Sequence, residues 1–288
     1  MSGVLCIDLG GTKAHVAEVS NNGLGKVHRY DVPAQGSKQA VLAFIERIIV
    51  VHLSVQCMGI SLGVPSSVRV ADGYIIETVN IPNLHSVSLK EWLYSKFGLP
   101  VVVHNDANCF TFGEYQYGSH LPCNNLIGIT LGTGLGSGVV LNGELYIGSN
   151  GFAGEFGSFT YLEGIVEEYT SGQFFKQLGL DGAQEAEKAK LGDTKSKALF
   201  NQFGQHLGHA ISLILLAFDP DKIVLGGSVT QSYSLFKSSL FSSLSEHSNE
   251  MLVSHLCVQP SRLQYAPLLG SFALFINEIP HAKEVLNG

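Results

Sequence analysis

Charge is scarce in this chain. Asp, Glu, Lys and Arg make up 14% of its 288 residues. Together with a 45% apolar fraction, that excludes a disordered polymer and predicts a well-buried core in one or two domains. Long apolar runs are missing as well. Stretches such as ILLAF, Ile214–Phe218, fall far short of the roughly 18 residues a spanning helix needs. No basic region followed by an apolar stretch opens the chain, so no signal peptide is expected. The charge that is present leans acidic, −7 net, which argues against general binding to nucleic acid or anionic membranes. Cysteine is sparse and unpaired in spacing: Cys6, Cys57, Cys109, Cys123 and Cys257 are scattered and odd in number. They read as free thiols of a reducing compartment, and a cytoplasmic protein is expected.

Glycine is plentiful and orderly. VLCIDL, AHVAEV and KVHRYDV read as short strands joined by Gly-Gly-Thr-Lys and by Asn21-Asn22-Gly23, a strong hairpin signal. The segment Asn125–Gly148 repeats the plan: strand, Gly-Thr turn, strand, Asn142-Gly143 turn, strand. Two copies predict a duplicated unit. SKQAVLAFIERIIVVHL has apolar residues at helical spacing behind a Ser37 cap, and SLKEWLYSKFG reads as a helix from a Ser cap to Gly98. CMGISLGV, PVVVHND and KIVLGGSV are near-continuous apolar strands of the kind covered on both faces. The last third is more helical, with one long helix ending at Asp219-Pro220 and a closing helix in PLLGSFALFINEI. No linker divides the chain, so two halves should meet directly with a cleft between them.

A Gly-Thr turn between hairpin strands can cradle phosphate oxygens in backbone amides, with Thr12 and Thr133 adding hydroxyls and Lys13 a positive charge. Asp8, ending the first strand, suits a hard cation such as Mg²⁺, directly or through water. For either turn alone, glycine required by hairpin geometry explains as much. Gly132, Gly134, Gly136 and Gly138 alternate and lead into a strand, so neither a Rossmann fingerprint nor a P-loop fits. Asn105-Asp106 falls where a buried strand runs out. Asp106 could take the proton of a substrate hydroxyl attacking a phosphoryl group, with Asn105 holding neighbouring hydroxyls; equally, Asp106 or Asn108 could cap the following helix. Glu155 in GFAGEFG, with Glu163, Glu167 and Glu168, supplies carboxylates suited to a polyol, although Glu163 and Glu168 read better as surface charges. Asn80, before Pro82, fits a ligand contact or a turn. The eleven histidines read as structural or surface residues, and His104 should face away from Asn105 along its strand.

In this order and spacing, CIDLGGTK, HNDAN, TLGTGLGSG, GFAGEFG and VLGGSV resemble the ROK family of sugar kinases and sugar-responsive repressors across nearly the whole chain. The resemblance implies an α/β, actin-like ATPase fold of the hexokinase type (ribonuclease H-like). Its two α/β domains would flank a cleft, residues 1–116 with 269–288 forming one and 117–268 the other. It implies ATP and Mg²⁺ as cofactors, with Asp8, Gly10, Gly11, Thr12 and Lys13 as the first phosphate loop. Gly132, Thr133, Gly134 and Gly136 would form the second, with Gly226 and Gly227 near adenosine. Asp106 would be the catalytic base, and Asn80, Asn105, Glu155 and Glu167 would hold the sugar, Glu167 through the family's E-x-x-x-S-G.

Two departures stand out. Ser158 replaces a His that normally binds zinc, and SFTYLEGIV replaces the cysteine-rich motif. No zinc site is therefore expected, the segment being held by Phe159, Tyr161 and Leu162. The implied activity is transfer of the γ-phosphate to the 6-hydroxyl of a hexose, glucose first, with N-acylmannosamine, N-acetylglucosamine, fructose or allose as alternatives. A sugar-sensing regulator and a sugar binder without catalysis are the other classes. The first phosphate strand begins at Val4 with no basic helix before it, so DNA binding is not expected, and the family's habit predicts a homodimer.

Overall fold

The computed structural model describes residues 2–78, 80–118 and 123–287. Contacts gather these into two compact units. One is Met1–Ser119 with Ile147–Ala153 and Leu263–Gly288; the other is His120–Tyr146 with Gly154–Arg262.

The first unit grows from β1 (Gly3–Leu9), which pairs antiparallel with β2 (Lys13–Ser20). β2 in turn pairs with β3 (Gly23–Leu24) and β4 (His28–Asp31). Helix α1 (Lys38–His52) follows, and Ser37 caps it by accepting from Ala40 N at 3.2 Å. Val41, Phe44, Ile45, Ile48 and Ile49 recur on one face of α1 and are buried, each contributing about 1.5–3 kcal/mol by leaving water. β5 (Cys57–Val64) then runs parallel to β1. Next comes a small antiparallel sheet of β6 (Ser66–Arg69), β7 (Tyr74–Thr78) and β8 (Val87–Ser88), and helix α2 (Leu89–Phe97). Ser88 precedes α2 but makes no capping bond, unlike the expectation, while Gly98 ends the helix with φ 65°. β9 (Val101–Asn105) completes the main sheet parallel to β5 and passes straight into α3 (Asp106–Tyr117). β1 is central, with Val4, Leu5, Cys6, Ile7 and Leu9 wholly buried, which is why it reads as an unbroken apolar run.

The second unit repeats the arrangement. β10 (Leu126–Leu131) and β11 (Leu135–Leu141) form a hairpin that β12 (Glu144–Leu145) extends. Asn142 and Gly143, at φ 53° and 85°, give the turn between β11 and β12 its primed geometry. A two-stranded ribbon, β13 (Thr160–Tyr161) and β14 (Gly164–Ile165), leads into α4 (Val166–Thr170), α5 (Gly172–Gln177), α6 (Gly182–Lys190) and the long α7 (Thr194–Phe218). β15 (Lys222–Gly226) follows, then α8 (Tyr233–His247), α9 (Glu250–His255) and β16 (Cys257–Pro260). The sheet order β12-β11-β10-β15-β16 matches β3-β2-β1-β5-β9 strand for strand, as the repeated hairpin foretold.

The chain closes with α10 (Ala266–Glu278) and α11 (Ala282–Asn287) in the first unit. α10 lies on α3 with bare backbone at the contact: a Cβ on Gly113 would strike Ala266 O, and one on Gly270 would strike Cys109 O. Among the described residues no helix is long and apolar enough to cross a membrane. All five cysteines are free.

Candidate active site

In the first unit, β1, β5 and β9 run parallel, with Asp8 opposite Gly63, Gly63 opposite His104, and Val64 opposite Asn105. Asp8 and Asn105-Asp106 therefore reach the same carboxyl edge of one sheet, two strands or about 10 Å apart. The turn after β1 is closed by Gly10 N donating to Lys13 O at 2.8 Å. Among the described residues, the Gly11 and Thr12 N–H groups have no acceptor. Thr12 is exposed, and Gly11 is pressed against Asn80, whose Cβ lies 2.6 Å from where a Cβ on Gly11 would sit. Asn80 thus adjoins the first glycine turn. Lys13 pairs across the sheet with Asp31, whose carboxyl it holds below the usual carboxylate range. Sequence reasoning missed that partner. It also missed His15, whose Nδ1 lies 3.5 Å from Asp8 Oδ2.

Asn105, not Asp106 or Asn108, caps α3. Its Oδ1 accepts from Ala107 N at 2.8 Å and Asn108 N at 3.1 Å, while its Nδ2 donates to Ser66 O at 3.2 Å. One Nδ2 hydrogen is left over by that count. Asp106 is the first helical residue, half-buried. His104 points the other way, as alternation predicts, and its buried Nε2 pairs with Glu278 at the end of α10.

The second unit holds the other glycine turn. Gly132 N donates to Gly134 O at 2.9 Å; among the described residues the Thr133 and Gly134 N–H groups have no acceptor, and Thr133 is exposed. Thr130 of β10 faces Gly226 of β15, and Gly227, at φ 85°, is packed so that a Cβ would meet Leu131 O. Gly226-Gly227 therefore lies beside this turn, and Gly227 is glycine for both backbone and contact reasons. Glu155 follows Gly154, whose φ is 93°, and is half-buried. Glu167 Oε2 accepts from Leu135 N at 2.7 Å, and its Oε1 accepts from Gln173 Nε2 at 2.6 Å. Glu163 is exposed, while Glu168 Oε2 accepts from Ile165 N at 3.1 Å and so secures the start of α4.

Around β13, the expected packing of three side chains is corrected. Leu162 is 61% exposed at the ribbon's turn and Phe159 is 41% exposed, its ring 5.7 Å from that of buried Phe156. Tyr161 is the anchor: its hydroxyl lies 2.9 Å from His206 Nδ1, and its ring stacks on His209 with centroids 4.9 Å apart. Tyr169 and His247 border the same group. Among the described residues no group of three or more His, Cys, Asp or Glu is arranged to hold a metal ion.

A profile described as the ROK family matches residues 4–278. The chain is 29% identical to a glucokinase of Halalkalibacterium halodurans over 265 residues, covering 78% of this chain and 80% of that one. It is 30% identical to the xylose repressor of Bacillus subtilis over 241 residues, 76% of this chain and 61% of that one. A ROK family glucokinase from Streptomyces griseus, solved with glucose and AMPPNP, superposes with a TM-score of 0.81 at 23% identity, covering 95% of this chain and 99% of that one. The ROK hexokinase of Thermus thermophilus gives 0.78 at 25% identity, covering 96% and 100%. The strand orders and these superpositions describe the α/β, actin-like ATPase fold. With the match running from β1 to the end of α10, the chain belongs to the ROK family.

Proposed function

We propose that this protein is an ATP-dependent hexose kinase that transfers the γ-phosphate to the 6-hydroxyl of its sugar, with glucose the favoured substrate. The observation that carries the reading is the pair of glycine turns, each offering two successive N–H groups without an acceptor among the described residues: Gly11 and Thr12, Thr133 and Gly134. Paired free amides favour anionic oxygens. The relatives named glucokinase, and an N-acetyl-D-glucosamine kinase of Pasteurella multocida at 29% identity, support the sugar.

Asp106 takes the proton from the 6-hydroxyl as that oxygen forms its bond to the γ-phosphorus, and ADP leaves with the electrons of the broken P–O bond. Gly10, Gly11, Thr12, Lys13, Gly132, Thr133, Gly134 and Gly136 hold phosphate oxygens, and Gly226-Gly227 borders the nucleoside. Asn80, Asn105, Glu155 and Glu167 orient sugar hydroxyls. Asp8 is the group to hold Mg²⁺, directly or through water; one carboxylate suits an ion that keeps most of its ligands as water and phosphate. The bound ion supplies charge neutralisation on the phosphates. The protein works as a cytoplasmic homodimer on this reading.

Assaying ADP release over a panel of hexoses and amino sugars identifies the substrate. Asp106→Asn should keep sugar binding by calorimetry while turnover falls about 10²–10⁴-fold; near-normal turnover removes Asp106 as base. The likeness to the xylose repressor favours a second reading, a sugar-responsive regulator, and sugar binding without ADP release would select it.

A further inference from the structure

Besides its own bond from Gly132 N to Gly134 O, the turn after β10 is held from outside. Three of its backbone groups are held by one short segment of chain, the α4–α5 junction. Glu167 Oε2 accepts from Leu135 N at 2.7 Å. Gly172 N donates to Gly132 O at 2.8 Å, and Ser171 Oγ donates to Thr133 O at 3.3 Å. Gly134 is packed so closely that a Cβ there would run into Glu167 Oε2. Gln173 Nε2 completes the arrangement by fixing the other carboxylate oxygen, Oε1, at 2.6 Å.

The consequence for the turn is directional. With the carbonyls of Gly132 and Thr133 tied toward α4–α5 and the Leu135 N–H occupied, the Thr133 and Gly134 amides are the ones left to meet a ligand. A turn of this composition would otherwise sample several conformations, because glycine costs more to order than any other residue. The carboxylate and its glutamine therefore pre-organise the amides before a ligand arrives.

We infer that Glu167, held by Gln173, is a positioning residue for the Gly132–Gly136 turn, acting on nucleotide phosphates through the backbone and not solely on sugar. The inference rests on the nucleotide role proposed for that turn. It also joins two functions in one side chain. Each carboxylate oxygen keeps a second lone pair, so a sugar hydroxyl can be accepted while the turn stays braced. Sugar occupancy and phosphate affinity are then linked, and linkage is reciprocal.

Two variants test it in the full-length protein. Glu167→Ala removes the brace together with any sugar contact. Gln173→Ala leaves the carboxylate in place, held by Leu135 N alone. Both should raise the KM for ATP, Glu167→Ala by about tenfold or more, as expected for losing a hydrogen bond to a charged group. Gln173→Ala should leave the sugar Kd, measured by calorimetry without nucleotide, within about twofold, well inside the scatter of a hydrogen-bond effect. Adenosine, which lacks phosphates, should inhibit wild type and both variants with equal Ki. An unchanged KM for ATP in both variants overturns the inference, as does an equal weakening of ATP and adenosine. Should the wild type bind no ATP at all, the nucleotide reading of the turn fails first and takes this inference with it.

Discussion

At Asn105 a helix cap and a candidate substrate contact share one amide. The carbonyl end is engaged by Ala107 N and Asn108 N, and the amino end faces Ser66 O. Asn105→Ala should cost about 0.5–2 kcal/mol of stability, read by urea unfolding, because the cap is lost. Asn105→Asp should keep the cap, since Asp serves as well, yet set an acceptor against Ser66 O and lose the donor offered to sugar; its defect should appear in sugar KM. The motif was legible in the sequence because strand-ending Asn-Asp is conspicuous. Which of its residues would cap was not, because Asn105, Asp106 and Asn108 all suit the role and only backbone geometry selects one. Lys13 makes the same point. Its motif position was readable, but its partner Asp31 is brought opposite by the β2–β4 register, which no local pattern encodes.

Among elements, the β13–β14 ribbon is anchored by aromatic and imidazole rings. His206 and His209 both have pKa values lowered from the ordinary 6.5, chiefly by burial, with each further disfavoured by a neighbouring histidine, His209 and His247 respectively. Their folded-state pKa lies below the unfolded one, so the unfolded chain binds protons more readily in acid. The stability this group contributes is present above pH 6.5 and is lost as pH falls from there through the lowered values. Thermal unfolding from pH 7.5 to 5 should show that loss (a range of about two and a half units around the histidine value), and His206→Gln should flatten the curve. A curve of unchanged steepness would remove His206 from the account. The sequence revealed α1 and α7 through their apolar spacing, α2 through its Gly98 stop and α10 as a closing helix, but not α8. There, six serines together with Lys237 and Glu246 dilute the pattern, and serine favours caps and turns over helix interiors. The sheet of β6, β7 and β8 also went unread, since SSVR and a Gly73 turn carry little β signal before pairing.

The whole molecule is two copies of one sheet plan, and that much was visible from two glycine hairpins because hairpin register is local. No local pattern says where the last helix goes; only the family resemblance grouped residues 269–288 with 1–116. α10 begins at Ala266, 149 residues after α3 ends at Tyr117, yet contributes Phe272, Leu274 and Phe275 to buried positions, and Ser61 Oγ donates to Ser271 O at 2.8 Å. Gly270→Ala should force α10 off Cys109 O and cost about 1–3 kcal/mol or more, measured by denaturant unfolding, with turnover falling as the α3 start shifts. That bare-backbone seat has a bearing on how the protein is made. During synthesis, the strands that start the chain wait with one side open while everything up to Arg262 is translated, so the unit begun first is finished last. A nascent chain stalled before Ala266 should expose protease-sensitive β1 and β5 while its second sheet already resists digestion.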